Sequence, residues 1–326
     1  MPPCTKPAIA TLIGLLSLGA HATDLPDLGG AFANYRYTEI ERLATARLAE
    51  RSDDPAAALA LGRAIVERDD RTRFKLAESK LATCVEQHPE VAACHLWLGR
   101  VYGKQIDGMF SGLRLAPKTR AGFERAVELD PRDLDAQAAL IEFYIAAPSA
   151  LGGGVDKATR QIAKVEAIDE AGGTLLRTFL LFAPADLSKA EAALEATKPA
   201  TSPGYDLARS YAYLRLGVAH FAAKRYADAQ RVFEAGLARY ADDPRLSLML
   251  GRALIEEGRG AEAIAPLRRS AARMPTAAAE WRLGEALAQT GDRTGALARL
   301  EAALAFTPAL AAEQREAVQE RLKALR

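Results

Sequence analysis

Cys84, His88, Cys94 and His95 form the one cluster of metal-ligand residue types in the chain. Cys84 and His88 stand one helical turn apart, and Cys94 and His95 follow across a break at Pro89, so the four could converge on a cation. Two cysteines ten residues apart across one turn also suit a disulfide in an oxidising compartment, or two buried thiols. The disulfide Cys84–Cys94 is the expectation carried forward, and no metal is expected. Gly152-Gly153-Gly154 precedes a helical pattern and invites an anion-site reading, because free amides at a helix start attract negative charge. The spacing of a phosphate-binding loop is missing and no strand precedes the glycines, so tight turning is the plainer account.

Catalytic signatures are absent. No H-E-x-x-H, no G-x-S-x-G and no nucleophile–base pair occurs, and His220 sits at a helix position usually filled by a packing residue. The expectation is a chain that is not an enzyme and needs no cofactor. Forty-three Lys and Arg stand against forty-two Asp and Glu, for a formal charge of +1, with both signs interspersed along most helical patterns. That balance supplies no electrostatic footprint for nucleic acid.

The elements that must position these residues are written as an internal repeat. Gly217, Gly251 and Gly284 are 34 and 33 residues apart, and the same offsets link Ala229, Ala263 and Ala296, then Phe233, Leu267 and Leu300. In each unit a small Ala follows the glycine by twelve residues and a large apolar residue comes four later. Small residues let two antiparallel helices approach and large ones fill the groove between them. Pro275 and Pro308 close the second and third units.

Upstream the pattern recurs with additions. Leu61-Gly62 is followed by Ala77, Leu81, Cys84 and Pro89; Leu98-Gly99 by Phe123, Ala126 and Pro131; Leu140-Ile141 by Ala158, Ile162 and Val165. Gly99 to Pro131 spans 32 residues where Gly284 to Pro308 spans 24, so the turn over Val101 to Pro117 is expected to be a swollen loop. A second enlargement lies in Pro148 to Val155. Turns joining the two helices of each hairpin share one edge of a stack, so the two enlargements are expected to touch. Ile106, Met109, Phe110, Leu113 and Leu115 make the first too apolar to stand free in solvent; it either folds back on the edge or covers a partner. A fourth unit is degenerate, with helices expected over Leu175 to Phe182 and Leu187 to Ala196. The breaker-rich stretch 199–204 reads as a loop or hinge, and Ala311 to Leu325 as a closing helix.

These spacings resemble the tetratricopeptide repeat. The resemblance implies an all-α, right-handed superhelix of about seven helical hairpins. Trp97-Leu98-Gly99-Arg100-Val101-Tyr102-Gly103, the run Phe123 to Pro131, and Leu151-Gly152-Gly153-Gly154-Val155-Asp156-Lys157-Ala158 further resemble exported bacterial tetratricopeptide proteins with the same Gly-rich turn. That second likeness covers residues 92 to 170 and implies architecture only, since the set has no established activity. In such superhelices the first helix of each hairpin lines the concave face, and the residue after the Leu-Gly pair points inward. The resemblance therefore places Arg63, Arg100 and Arg252 inward, with Glu142, Val218 and Glu285 in other units and Tyr211, Leu214, Leu248 and Trp281 nearby. Guanidinium groups beside aromatic and apolar surface suit an extended peptide carrying acidic groups. The same arginines could instead pair with carboxylates of adjacent helices.

The first 22 residues read as a signal peptide: Lys6, an apolar run from Ala8 to Leu18, and the small-x-small pattern Ala20-His21-Ala22. The run is shorter than the roughly 20 apolar residues of a membrane-spanning helix, and no later stretch is long enough. The expected organisation is 1–22 signal peptide, 23–198 an N-terminal half with enlarged turns, 199–204 the loop, and 205–326 regular repeats with a closing helix. The expected role is a periplasmic, non-catalytic scaffold that binds a protein or peptide partner by the concave groove or the decorated edge. The competing role is a periplasmic carrier or regulatory subunit holding a small ligand or metal under the 103–117 loop.

Overall fold

Small residues at the crossing points let the helices of this chain pair, and every described element beyond turns is helical. A computed structural model describes residues 32, 35–182, 186–202 and 204–326. The expected signal peptide, Asn34 and Pro203 lie outside them.

A first helix, α1 (Tyr37–Glu50), covers the open face of the first hairpin, α2 (Pro55–Glu67) with α3 (Phe74–Gln87). The second hairpin is α4 (Ala92–Lys104) with α5 (Met109–Leu129), and the third is α6 (Leu134–Ala146) with α7 (Val155–Ile168). The fourth is the short α8 (Glu170–Arg177), prolonged by a 3-10 turn over Thr178–Leu181, with α9 (Leu187–Ala196). Three regular hairpins follow: α10 (Tyr205–Ala222) with α11 (Tyr226–Arg239), α12 (Pro244–Glu256) with α13 (Gly260–Arg273), and α14 (Ala277–Gln289) with α15 (Arg293–Ala305). Closing helix α16 (Ala312–Leu325) ends the stack. That makes seven hairpins between two capping helices.

The repeat positions do the packing expected of them. Ala77, Ala126, Ala158, Ala190, Ala229, Ala263 and Ala296 are all completely buried. A Cβ placed on Gly62, Gly217, Gly251 or Gly284 would lie within 3 Å of Leu81, Phe233, Leu267 or Leu300 respectively, which are the large residues paired with them in the sequence. Starts are set locally: Asp54, Asp133, Asp243 and Thr276 accept hydrogen bonds from first-turn amides of α2, α6, α12 and α14. Pro55 and Pro244 occupy first helical positions where no amide donor is needed. α13 runs through Pro266 without ending.

One buried cluster runs from Tyr37 to Ala296 without interruption. A second, comprising Ala277, Trp281, Leu300, Ala303, Leu310, Val318 and Leu322, seals the last hairpin against α16. The stretch 199–202 joins α9 to α10 as a loop whose flanks are fastened. Tyr205 donates its hydroxyl to the Lys198 carbonyl at 2.7 Å, and Arg209 donates to the Thr197 carbonyl at 2.8 Å.

The expected loop over Val101 to Pro117 is corrected. Only four residues, 105–108, separate α4 from α5, and the extra sequence lengthens α5 to 21 residues. Ser111 Oγ receives the amides of Asp107 and Gly108 at 3.1 and 3.0 Å, which starts the helix early, and Leu115, Ala116 and Thr119 give it a buried face. Pro117 lies inside that helix on the exposed side, where a missing donor costs least.

Candidate partner-binding surfaces

The Gly-rich turn is built for closeness. Gly152 and Gly154 have φ of 95° and 144°, and a Cβ on Gly153 would fall 1.7 Å from the Ala147 carbonyl oxygen. The three glycine amides donate in turn to the carbonyls of Ser149, Pro148 and Tyr144. All three donors are thus used inside the turn, and the anion reading of these glycines falls. Lys157 adds a bond from Nζ to the Gly152 carbonyl.

The two enlargements touch, as their shared edge requires. Leu151 and Ile106 pack over Gly112, and the Arg120 side chain crosses directly over Gly152. From Met109 on, the stretch expected as a 103–117 loop is helix, with Gly112 packed under Ile106 and Leu151 and with Leu115 and Ala116 buried. Met109 and Phe110, at its tip, are 72% and 83% exposed.

Cys84 and Cys94 are bonded in a disulfide that ties α3 to α4, with Cα atoms 6.0 Å apart. Both sulfurs are thereby removed from the metal-ligand set. His95 Nε2 lies 2.9 Å from the Pro89 carbonyl, and His88 Nδ1 lies 3.7 Å from Glu90. No group of three His, Cys, Asp or Glu side chains suited to a cation occurs among the described residues.

On the inner face the three expected arginines meet different fates. Arg100 forms a bidentate pair with Asp135 at 2.9 and 2.5 Å and lies 4.4 Å over the Trp97 ring. Burial works against its charge, yet Asp135 outweighs burial and holds the guanidinium above its usual value; the carboxyl of Asp135 is lowered in return. Arg63 lies 4.0 Å over Phe32, 5.1 Å over Trp97 and 3.8 Å from Glu67. Neutralisation by neighbouring carboxylates therefore holds for these two.

Arg252 differs. It lies 4.9 Å over the Phe221 ring, its one hydrogen-bond acceptor is the Met249 sulfur at 3.3 Å, and its buried Nε has no partner. Arg282 stands in its field, 3.8 Å over the Trp281 ring. Neither forms an ion pair with a carboxylate of the described residues. Burial lowers the pKa of Arg252; burial and then the Arg252 charge push Arg282 down to about 10. Arg282 gave no signal in the repeat alignment, because it lies two residues before Gly284 rather than one after it.

Tyr211 donates its hydroxyl to Glu142 at 2.8 Å, and Arg215 reaches the same carboxylate at 2.6 Å, so this pair bridges the third and fifth hairpins. Leu214 is half-buried beside the core. Trp281 is corrected from a groove residue to a packing residue: it is 9% exposed against α16, with its ring edge donating to Glu285 at 3.3 Å. What it offers the inner face is a platform for Arg282.

The stack also curls until its ends meet. Arg68 in the first turn region donates to the Thr307 carbonyl beyond the last hairpin, and Tyr35 lies 6.0 Å from the Arg245 guanidinium in the sixth. The inner face is consequently narrow, with Phe32 and Tyr35 drawn onto its arginines.

Comparison with known proteins agrees with this architecture. Residues 220–281 match a family model described as tetratricopeptide repeat. No curated protein matches the sequence. Among solved structures, yeast Tom70 is similar with a TM-score of 0.60 and 12% identity, over 98% of this chain and 66% of its own. A tetratricopeptide repeat protein from Parabacteroides merdae matches with a TM-score of 0.42 and 13% identity, over 94% of this chain and 99% of its own. The APC/C hetero-tetramer Cut9–Hcn1 matches with a TM-score of 0.44 and 16% identity, over 95% of this chain. The chain spans only 57% of the length of that last relative. Likeness at such identities is likeness of fold. With the tetratricopeptide repeat matched over 220–281 and the same hairpin continued to either side, the chain has the fold of a tetratricopeptide α-solenoid.

Proposed function

We propose that the protein is an exported, non-catalytic scaffold that binds a protein or peptide partner on its inner face, with an acidic group of the partner lying between Arg252 and Arg282. A tetratricopeptide solenoid presents a surface for proteins or peptides. The observation that carries the reading is the unneutralised pair itself. Other inner-face arginines, Arg100, Arg215 and Arg245, each hold a carboxylate in an ion pair, whereas Arg252 and Arg282 are stacked on aromatic rings and feel Glu256 and Glu285 only at longer range. Two cations held together at this cost are relieved by an incoming carboxylate, which can accept from both guanidinium forks. Export is supported by the 22-residue leader pattern and by the Cys84–Cys94 bridge, which suits an oxidising compartment.

The test is photo-crosslinking in the native cell from Phe221, the ring beneath Arg252. The wild type is expected to capture a defined protein, and Arg252→Glu with Arg282→Glu to lose it by tenfold or more. Arg114→Glu, on the opposite edge, is expected to retain it. Capture that survives the double charge reversal would remove the inner face as the binding surface.

A further inference from the structure

The tip of α5 is the most exposed apolar feature of the described surface, and the inner-face reading makes no use of it. Met109 and Phe110 are 72% and 83% exposed, and Leu113, one turn on, is 59% exposed. The opposite side of the same turns is seated: Gly112 under Ile106 and Leu151, then Leu115 and Ala116 buried. The helix is therefore held rigidly with three bulky apolar side chains pointing outward. Single exposed apolar residues need no explanation, but three on one turn of a protruding helix do.

Behind the apolar tip the same exposed stripe carries cations. Arg114 and Lys118 are four residues apart and both exposed, and neither pairs with a carboxylate among the described residues. Lys118 Nζ instead lies 5.1 Å over the Tyr102 ring. Two carboxylates lie by the turn before the tip and both are engaged: Asp107 Oδ1 accepts from the Ser111 hydroxyl at 2.7 Å, and Glu78 accepts from Gln105 Nε2 at 3.0 Å. At the helical rise, Arg114 stands about 6 Å and Lys118 about 12 Å behind Phe110. An apolar tip followed at that depth by Arg and Lys is the order in which a lipid surface presents its own layers: acyl boundary first, phosphates next.

We infer that the tip of α5 is a peripheral docking surface for a lipid bilayer bearing anionic headgroups, with Met109, Phe110 and Leu113 entering the interface and Arg114 and Lys118 meeting phosphate. No described helix is long and apolar enough to cross a membrane, so the contact is one of lying against it. Charge decides against the other occupant of such a patch. A second copy docking by two-fold symmetry would bring Arg114 and Lys118 toward their own counterparts, while an anionic surface neutralises both. A convex tip also offers no groove for a peptide helix, whereas a fluid interface accepts a protruding wedge. The α5 tip and the Arg252–Arg282 pair are separate surfaces, so one protein could be held at a membrane while the other face binds its partner.

The experiment is vesicle co-sedimentation of the chain beginning at Thr23, which retains every described residue. Vesicles are phosphatidylcholine alone or equimolar phosphatidylcholine and phosphatidylglycerol. Binding is expected to be at least about tenfold stronger to the anionic vesicles and to weaken as salt is raised. Met109→Ser with Phe110→Ser, and separately Arg114→Glu with Lys118→Glu, are each expected to lower it about tenfold, with helical circular dichroism unchanged. Arg252→Glu with Arg282→Glu is expected to leave it intact. Absence of binding to anionic vesicles, binding indifferent to both tip variants, or a concentration-dependent dimer abolished by the tip variants would each overturn the inference.

Discussion

Replacing Gly122 by Ala should destabilise the protein, while replacing Gly103 by Ala on the facing helix should stabilise it. A Cβ on Gly122 would lie 2.8 Å from the His95 carbonyl oxygen, 3.0 Å from Gly99 Cα and 3.2 Å from Gly99 N. All three neighbours are backbone, so no side chain can swing aside and α4 and α5 must part. That separation also loosens Phe123, whose ring fills the space over Gly99. Overpacking of this kind costs about 1–3 kcal/mol, and the better helix propensity of Ala returns about 1 kcal/mol, leaving a net loss of up to about 2 kcal/mol. At Gly103 the new methyl would meet Thr119 Cγ2 at 3.5 Å, an ordinary contact, so the propensity term acts alone and up to about 1 kcal/mol is gained. Urea unfolding followed by far-ultraviolet circular dichroism gives the sign of each change. Midpoints are compared, since a stack of repeats need not unfold in one step. A Gly122→Ala midpoint that rises as far as that of Gly103→Ala would refute the close backbone approach on which the decorated hairpin rests.

Two further outcomes follow from buried groups. His220 is 1% exposed, with Glu191 4.0 Å from Nε2 and Asp228 3.8 Å from Nδ1, and burial, then Arg225, lowers its pKa below 6.5. The unfolded chain therefore binds the proton more readily, and the stability associated with neutral His220 is present above the unfolded value and lost as pH falls through it toward the lowered folded value. Denaturation midpoints measured from about pH 7 to about pH 5 should fall in the wild type and fall less in His220→Gln. The Cys84–Cys94 bridge closes a short loop between α3 and α4, so Cys84→Ala with Cys94→Ala should cost about 2–3 kcal/mol. Reduction of the isolated protein should add the mass of two hydrogens, and an unchanged mass would exclude the bridge.

The hairpin stack was legible in the sequence because its packing is local and periodic. Gly217 must face Phe233 and Gly251 must face Leu267 when each pair is joined by one short turn. The Cys84–Cys94 juxtaposition was legible for the same reason. The enlargement after Gly99 was located correctly and given the wrong form. Val101 to Pro117 carries three glycines and a proline, which read as a loop, and the buried face of Gly112, Leu115 and Ala116 forms only once neighbouring elements such as Ile106 and Leu151 pack over Gly112.

By itself the sequence determined the number of hairpins, which residues face each other within them, and which glycines make the decorated turn. Tertiary structure alone decided what the inward residues do. Whether an arginine finds a carboxylate depends on curvature accumulated over several repeats, which brings Asp135 to Arg100 and Glu142 to Tyr211 and Arg215, and leaves Glu256 and Glu285 short of ion-pair contact with Arg252 and Arg282. Trp281 turned inward on paper and is buried in the structure, because the closing helix claims its ring for the last core. Contacts within a hairpin are set by spacing along the chain, whereas contacts across the groove are set by small rotations summed from one repeat to the next, and no single stretch of sequence encodes that sum.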